Sequence, residues 1–208
     1  ITADGKDNVT VLGDSGNNTL NFSGTTLTDV VVNGGSGNDT ITGNAAANTL
    51  RGGEGADTIR GSAGNDVLFG DNGNDTFLVS GSGDGLDTIH GGDGTDTWLG
   101  SSGNDYFYVS GTSSNLQNLN SIEVINGGTN GYDRIVGSSG ADTIDFSLAT
   151  SPSLIDIDEI DGGNGDDTIT GTSGDDRIRG NNGNDTLFGG DGNDTFLVSG
   201  SGDGLDTI

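Results

Sequence analysis

The chain lacks several residue types on which ordinary folded domains depend. Its 208 residues include no cysteine, no methionine and a single proline, and apolar residues make up only 28% of them. The absence of cysteine excludes disulfide bonds and thiolate metal sites. No apolar run approaches the roughly 20 residues that a membrane-spanning helix needs, so we expect no membrane insertion.

Positive charge is also scarce. Six lysines and arginines face 32 aspartates and glutamates, which gives a formal net charge of −26. This acidity disfavours nucleic acid and anionic membrane surfaces, because their phosphates would repel the chain. Low hydrophobicity with high net charge is typical of a chain that stays disordered on its own. We therefore expect no nucleic-acid partner, and a chain that needs cations in order to fold.

What the chain has in abundance is glycine, and most of its 42 glycines occupy fixed places in a nine-residue pattern. The pattern is Gly-Gly-x-Gly-x-Asp-x-apolar-x, and its regularity argues against simple low complexity. Five stretches match every position: Gly34–Thr42, Gly52–Arg60, Gly91–Leu99, Gly162–Thr170 and Gly189–Leu197. Six more differ only at the second glycine: Gly61–Phe69, Gly70–Leu78, Gly100–Tyr108, Gly137–Asp145, Gly171–Arg179 and Gly180–Phe188.

The first six positions of the pattern predict a metal-binding turn. Glycines at positions 1, 2 and 4 permit positive φ and remove side-chain bulk, so the segment can turn tightly and aim its carbonyl oxygens at one point. The aspartate at position 6 adds a carboxylate beside those carbonyls. Ligation by oxygen alone suits Ca²⁺, whereas Mg²⁺ prefers a stricter octahedral geometry and retained waters.

Positions 7 to 9 predict a short strand. Neighbouring side chains of a strand alternate between its faces, so the apolar residue at position 8 points inward and positions 7 and 9 point outward. Each nonapeptide then makes half a coil and two make a full coil, with coils stacked roughly 4.8 Å apart. We expect a thin core of stacked position-8 side chains between two parallel sheets. They are Ile41, Ile59, Leu68, Phe77, Trp98, Phe107, Ile144, Ile169, Ile178, Leu187 and Phe196.

The register slips after Phe22, Phe77, Phe107 and Phe146, and the four slips look alike. Each segment opens with phenylalanine, reaches a serine, loops out and returns through an aliphatic strand to Gly-Gly. We interpret them as enlarged coils that continue the core.

The pattern is restored beyond each slip. Ser82–His90 follows a bulge of Val79, Ser80 and Gly81 and places Asp87 at position 6. Gly127–Val136 carries one extra residue and places Asp133 there. Asn118–Asn126 and Ser153–Asp161 place Ile125 and Ile160 at position 8.

These repeats resemble those of the RTX (repeats-in-toxin) family. The resemblance implies an all-β fold, a right-handed parallel β-roll, in which each Ca²⁺ lies between two turns on one edge that are two nonapeptides apart. It implies carboxylate ligands from Asp39, Asp57, Asp66, Asp75, Asp87, Asp96, Asp105, Asp133, Asp142, Asp167, Asp176, Asp185, Asp194 and Asp206. It implies carbonyl ligands from Gly35, Gly37, Gly53, Gly55, Gly92, Gly94, Gly163, Gly165, Gly190 and Gly192. Asn18 and Asn48 replace the aspartate in two further turns and predict weaker sites.

The sequence also contains a longer repeat, which spans many nonapeptides. Val67–Ile89 recurs at Thr186–Ile208, an offset of 119 residues. This recurrence predicts that residues 1–208 form one continuous roll of about ten coils, taken from a longer tandem array. Because open solenoid ends expose core and strand edges, contact with neighbouring repeats or head-to-tail self-assembly is a further possibility.

The predicted function is calcium-dependent folding and stiffening of an extracellular bacterial repeat protein. About ten Ca²⁺ would reduce the net charge to about −6, and extracellular modules bind Ca²⁺ at roughly 10⁻⁴–10⁻³ M. Because the sites do not exist in the unfolded chain, binding free energy is folding free energy. The resemblance implies type I secretion. We favour a spacer in an adhesin or surface-layer protein over a calcium-binding module of a secreted enzyme or toxin, and over an ice-binding or filament-forming region.

The residues that could suggest catalysis have simpler interpretations, and we expect no enzyme activity. His90 is the single histidine and occupies outward position 9, where solvation is the simplest expectation. Trp98 occupies core position 8, and Tyr106 and Tyr108 flank an inward phenylalanine. The arginines at outward positions, Arg51, Arg60, Arg177 and Arg179, are expected to relieve acidic crowding.

Overall fold

The computed structural model describes residues 9–26, 28, 30–79, 83–109, 119–147, 152–198 and 204–208. Within these residues short strands alternate with glycine-rich turns, and every strand pair is parallel. The strands of the N-terminal half are β1 (Val9–Leu12), β2 (Thr19–Asn21), β3 (Val30–Ser36), β4 (Thr40–Thr42), β5 (Thr49–Glu54), β6 (Thr58–Arg60), β7 (Val67–Asn72), β8 (Thr76–Leu78), β9 (Thr88–Asp93) and β10 (Thr97–Leu99). Those that follow are β11 (Tyr106–Tyr108), β12 (Leu119–Asn120), β13 (Val124–Asn126), β14 (Arg134–Val136), β15 (Thr143–Asp145), β16 (Ser153–Ile155), β17 (Glu159–Asp161), β18 (Thr168–Thr170), β19 (Arg177–Arg179), β20 (Thr186–Phe188) and β21 (Thr195–Leu197).

The strands form four parallel sheets. Sheet 1 has the order β1-β3-β5-β7-β9-β12, and sheet 2 has the order β2-β4-β6-β8-β10-β13-β16. Sheet 3 runs β11-β14-β17-β19-β21, and sheet 4 runs β15-β18-β20. Consecutive strands of the chain therefore belong to different sheets, and each sheet adds a strand once per coil. This is the topology of a parallel β-solenoid, and the predicted all-β parallel roll is confirmed.

The register of the sheets confirms the predicted coil of two nonapeptides. Ile41 pairs with Ile59, and Leu50 pairs with Leu68, in each case two nonapeptides further along the chain. Where the bulge intervenes the coil is longer by the length of the bulge, as in the pairing of Trp98 with Phe77. Position 8 therefore stacks on position 8, as the pattern predicts. In the predicted bulge, Val79 is a buried core residue, whereas Ser80 and Gly81 lie outside the described residues.

The enlarged coils also keep position 8 in the core. Ile125 pairs with Trp98, and Ile160 pairs with Ile135, across coils that are longer still. Because these coils use more residues than two nonapeptides, the chain makes about eight turns instead of the ten predicted.

The roll changes the pair of sheets that encloses its core, which the sequence did not predict. Up to β10 the strands alternate between sheets 1 and 2, and from β17 onward they alternate between sheets 3 and 4. Between these parts the chain contributes to three sheets per coil, as in β13, β14 and β15 on sheets 2, 3 and 4. The predicted core between two sheets is right for both ends and wrong for the middle. The change falls in the enlarged coils, which have enough residues to form a third face.

The core is one thin cluster of apolar side chains, most of them at position 8. Ile41, Ile59, Phe77, Phe107, Ile144, Ile169 and Ile178 are fully buried. Trp98 is 3% exposed and packs edge-on against Phe107, with ring centroids 5.0 Å apart. The core position of Trp98 is therefore confirmed. A core this thin leaves the turns at the edges of the sheets to supply much of the remaining stability.

Side chains at position 9 lie on the outer faces and stack there. On sheet 1, His90 stacks on Phe69 with ring centroids 4.8 Å apart, and the guanidinium of Arg51 lies over the Phe69 ring, 4.5 Å from its centroid. His90 is thus half-buried in an aromatic contact rather than simply solvated. Among the described residues, the chain has no helix long and apolar enough to cross a membrane.

Candidate metal centre in the stacked turns

The turns form four stacks, each at the edge where strands of one sheet begin. We number the stacks by the sheet that their turns lead into, and we call the position-6 residue of each turn its rung. Stack 1 has the rungs Asn48, Asp66 and Asp87, and stack 2 has Asn18, Asp39, Asp57, Asp75, Asp96 and Glu123. Stack 3 has Asp105, Asp133, Asp158, Asp176 and Asp194, and stack 4 has Asp142, Asp167, Asp185 and Asp206. All fourteen predicted aspartates are rungs. The fold therefore places each of them next to other predicted ligands in one of the four stacks.

Hydrogen bonds join successive rungs in all four stacks, except between Asp158 and Asp176 in stack 3. The backbone N–H of Asp39 donates to Oδ1 of Asp57 at 2.7 Å, and the N–H of Asp57 donates to Oδ1 of Asp75 at 2.8 Å. The same bond recurs across the longer coils, from Asp105 to Asp133 at 2.8 Å and from Asp142 to Asp167 at 2.8 Å. One side-chain oxygen of each later rung except Asp176 is therefore held by the rung before it.

The second carboxylate oxygen is buried without a protein partner in six rungs. These are Oδ2 of Asp39, Asp57, Asp66, Asp75, Asp96 and Asp167. A buried, ionised carboxylate with an unsatisfied oxygen is strongly unfavourable unless a cation or donor compensates it. Burial accordingly raises the pKa of Asp66 to about 7, of Asp75 to about 6 and of Asp87 to about 8. A nearby positive charge would therefore favour the ionised form of Asp66 and Asp87 at neutral pH.

The orphaned oxygen lies in a cradle formed over the glycine at position 1. An ideal Cβ built on Gly34 would lie 2.8 Å from Cγ of Asp39 and 2.7 Å from the carbonyl oxygen of Gly52 in the next coil. Gly162 repeats the arrangement, with Asp167 beside it and the carbonyl oxygen of Gly180 at 2.9 Å. A carboxylate oxygen and a backbone carbonyl oxygen thus converge where any larger residue would place its side chain.

The glycines of one turn have two different roles. Positive φ occurs at positions 2 and 4, as in Gly53 (φ 119°) and Gly55 (φ 121°), but not at position 1 of the described turns. Of the two properties expected of these glycines, position 1 therefore uses only the lack of side-chain bulk, whereas positions 2 and 4 also use positive φ. At positions 2 and 4 the carbonyl oxygens of Gly35 and Gly37 face Gly53 and Gly55 of the next coil, so they point along the stack.

This donor set fits Ca²⁺. Within the described part of the chain, no three aspartate, glutamate or histidine side chains gather at one point. A cation here would be held by one or two carboxylates, with backbone carbonyls supplying the other ligands. Such a mixture of carboxylate and carbonyl oxygens is the one that Ca²⁺ takes in proteins. The rung aspartates and the position-2 and position-4 carbonyls therefore remain the predicted ligands.

Two rungs were missed in the sequence. Oε2 of Glu123 accepts a hydrogen bond from the N–H of Asp96 at 2.7 Å, and Oδ2 of Asp158 accepts one from the N–H of Asp133 at 2.8 Å. Both lie in enlarged coils, where they occupy position 6 if Ile125 and Ile160 are placed at position 8. The register that identified those isoleucines could therefore also have identified both carboxylates.

Five turns differ from the others, and we call them latched turns. In each, the position-2 N–H donates to the side chain of the rung in the same turn, and the position-2 side chain accepts the N–H of position 4. For Ser138 these bonds are 2.7 Å to Oδ2 of Asp142 and 3.2 Å from the N–H of Gly140. The position-2 and rung residues of the latched turns are Asp14 with Asn18, Asn44 with Asn48, Ser101 with Asp105, Ser138 with Asp142, and Thr172 with Asp176.

An ion-pair cluster on the outer face of sheet 3 uses three of the chain's six basic residues. Glu159 is 2% exposed, accepts from Nε of Arg179 at 2.8 Å and from the hydroxyl of Tyr132 at 2.6 Å, and also contacts Arg177 and Arg134. Burial favours a higher pKa for Glu159, but the bonds from Arg179 and Tyr132 hold that pKa below its ordinary value. The arginines at outward positions therefore do offset acidic charge, around one buried glutamate.

Comparison with known families agrees with this geometry. A model of the RTX calcium-binding nonapeptide repeat, which spans four copies, matches residues 31–56, 42–77, 82–108, 127–148 and 161–196. Together these segments cover more than half of the chain and contain most of its rungs. A comparison with curated proteins found no match.

Proposed function

The chain belongs to the RTX calcium-binding nonapeptide repeat family, and we propose that calcium bound at its stacked turns folds and stiffens a repeat region of a secreted, extracellular protein. The observation that carries this proposal is the set of six buried rung oxygens without a protein partner. Those of Asp39, Asp75, Asp96 and Asp167 lie beside a backbone carbonyl of the next coil, and this arrangement forms a repeated oxygen-only site. Calcium-dependent repeat structure is the property of the family that this geometry explains.

Charge makes the folding conditional on the metal. The net charge is −26, and the rungs concentrate carboxylates along four edges, where they repel one another. About ten Ca²⁺ would neutralise most of this charge, and the unpartnered rung oxygens would serve as ligands of these ions. Because the turns are not preformed in the unfolded chain, the binding free energy appears as folding free energy. At cytosolic Ca²⁺ concentrations the sites would be empty, so folding would follow export.

A role as a stiff spacer, in an adhesin or a surface-layer protein, is the form of this function that we favour. The strands are parallel, and each bound ion would connect two successive coils. Calcium at every stack would therefore stiffen the roll along its length. The sequence supports the same role, because Val67–Ile89 recurs 119 residues later.

The proposal is tested with the 208-residue chain in calcium and in chelator. We expect far-UV circular dichroism to show a steep rise in β structure with Ca²⁺ and little with Mg²⁺, and the fluorescence of Trp98 to report its burial at the same concentrations. Equal β content with calcium and with chelator would refute calcium-dependent folding.

A pair of matched variants locates the sites. Asp57→Asn removes a buried rung carboxylate, whereas Asp93→Asn removes the same charge from an exposed position 3. We expect Asp57→Asn to require several-fold more Ca²⁺ for folding and Asp93→Asn to behave almost as the unmodified chain does. Equal behaviour of the two variants would show that bulk charge, and not the rung, governs folding.

A further inference from the structure

The latched turns occupy a special place in the stacks. Stacks 3 and 4 each begin with a latched turn, whose rung is Asp105 or Asp142. Two more latched turns hold the first described rungs of stacks 1 and 2, which are Asn48 and Asn18. The fifth latched turn, with rung Asp176, follows a break in stack 3, where the described residues contain no rung bond between Asp158 and Asp176. In stacks 3 and 4, a latch therefore marks each point at which the described stack starts or restarts.

The hydrogen bonding explains this placement. In a later rung, one carboxylate oxygen accepts the N–H of the preceding rung, as Asp167 does from Asp142. A first rung has no preceding rung to donate to it. In latched turns the missing donor comes from the turn itself, because the position-2 N–H donates to Oδ2 of Asp142 or Asp176 at 2.7 Å. The rung is thereby fixed without any contribution from a neighbouring coil.

The position-2 side chain adds a second bond to the same rung. The hydroxyl of Ser138 donates to Oδ2 of Asp142 at 2.8 Å, and the hydroxyl of Thr172 donates to Oδ2 of Asp176 at 3.0 Å. This is the oxygen that lies buried and unpartnered in Asp39, Asp57 and the other rungs of that kind. A latched rung is thus supplied with donors by the protein at the atom for which those rungs require a cation.

The backbone conformation of the latched turns also differs from that of the unlatched turns. Where a polar residue latches position 2, neither it nor position 4 has positive φ, as in Ser138 and Gly140. Ser62 and Asp71 also replace glycine at position 2, but they keep a positive φ of 75°, and their side chains bond elsewhere. Ser62 donates to the carbonyl oxygen of Gly43, and Asp71 forms an ion pair with Arg51. The latch is therefore a distinct turn geometry and not merely the absence of glycine.

We propose that the position-2 latch makes a turn self-sufficient, so that latched turns are calcium-independent first rungs on which the calcium-holding rungs stack. This inference rests on the proposed function and adds to it, because it distinguishes two classes of turn that share the position-6 aspartate. The number of bound ions then follows the unlatched turns. Asp105, Asp142 and Asp176, although aspartates at position 6, would not each hold an ion of their own.

The chain offers a direct test, because removing three latches completes the repeat pattern. Ser101→Gly, Ser138→Gly and Thr172→Gly each convert their turn to Gly-Gly-x-Gly-x-Asp. The matched control is Ser102→Gly, Ser139→Gly and Ser173→Gly, in the neighbouring exposed position 3 of the same three turns. Both triple variants are equilibrated by dialysis at a fixed Ca²⁺ concentration, and the metal content per chain is measured by mass spectrometry.

We expect the triple variant without latches to bind up to three more Ca²⁺ per chain than the control, because each of the three carboxylates has lost the hydroxyl donor at Oδ2 and its turn can adopt the glycine geometry of the unlatched turns. A folded variant that binds the same number of ions as the control, or fewer, would overturn the inference. If the original chain binds no Ca²⁺ at all, the proposed function fails instead, and the two failures are thereby distinguished.

A second variant covers the case in which the chain without latches does not fold. Ser101→Thr, Ser138→Thr and Thr172→Ser retain the hydroxyl at each latch while changing its surroundings. If this variant folds with calcium and binds as many ions as the original chain, the hydroxyl is required to start a stack, and the inference stands. If it also fails to fold, side-chain shape rather than the latch governs the turn, and the inference is wrong.

Discussion

The glycine at position 1 provides a sharp test of the cradle, and Gly52→Ala is the most informative substitution. Gly52 does not have positive φ, so alanine costs nothing in backbone conformation. Its Cβ would lie 2.8 Å from Cγ and 2.9 Å from Cβ of Asp57, with Oδ2 nearer still. Carbon atoms in ordinary contact lie about 3.5–4.0 Å apart, so the aspartate would have to move by at least about 0.6 Å.

Movement of Asp57 has two consequences. It removes the carboxylate from the cradle, and it disturbs the 2.7 Å bond that Oδ1 accepts from the N–H of Asp39. Overpacking of this kind costs about 1–3 kcal/mol, to which the weakened metal site adds. We therefore expect Gly52→Ala to lower the free energy of unfolding at saturating Ca²⁺ by at least about 2 kcal/mol.

Gly103→Ala is the matched control, because it also lacks positive φ and its Cβ would meet nothing closer than 3.9 Å. Reduced entropy of the unfolded chain should make it neutral or stabilising by about 0.4–1 kcal/mol. Urea unfolding of both variants at saturating Ca²⁺, followed by the fluorescence of Trp98, measures the difference. Unfolding free energies within about 0.5 kcal/mol of each other would refute the assignment of the cradle.

The same stacks give three further predictions. Glu123→Gln should weaken the calcium response by about 1 kcal/mol, measured by calcium titration, whereas Glu54→Gln at an exposed position should not. Burial raises the pKa of Asp66 to about 7 and of Asp87 to about 8. The stability that these two groups give the calcium-free roll is therefore fully present below about pH 4, where both are protonated in the folded and unfolded states, and it is lost as the pH rises from there through 7 to 8. Circular dichroism in chelator should show more β structure at pH 4 than at pH 8, and equal spectra would contradict this prediction. Glu159→Gln should lower stability by about 1–2 kcal/mol at saturating Ca²⁺ while leaving the number of bound ions unchanged, and loss of an ion would contradict the role of Glu159 as an arginine partner.

The repeat pattern predicted the features that depend on local spacing. The alternation of strand residues and the coil of two nonapeptides placed Ile41 over Ile59 and Trp98 in the core, as observed. The same register identified Asp87 and Asp133 as rungs beyond irregular segments. These predictions succeeded because each depends on counting residues within one coil.

The features that were not predicted depend on contacts between coils. The change from sheets 1 and 2 to sheets 3 and 4 depends on how long coils pack against short ones, which no single repeat specifies. The latches were visible only as departures from glycine at position 2. Ser101 carries a latch, whereas Ser62 with the same side chain keeps positive φ and bonds to another turn, so the difference follows from the place of each turn in its stack.

The break in stack 3 shows how the roll can continue where a calcium-holding rung is missing. The series of hydrogen bonds between rungs is interrupted after Asp158. The next residue, Glu159, forms ion pairs with Arg177 and Arg179, which lie on the following strand of sheet 3 and so connect two coils. An arginine supplies a positive charge between coils as a calcium ion does, but it is covalently attached and does not depend on metal concentration. Three of only six basic residues lie around this one glutamate. The position of these three arginines therefore fits the requirement that we propose for the rungs, in which a cation between acidic coils allows them to stack.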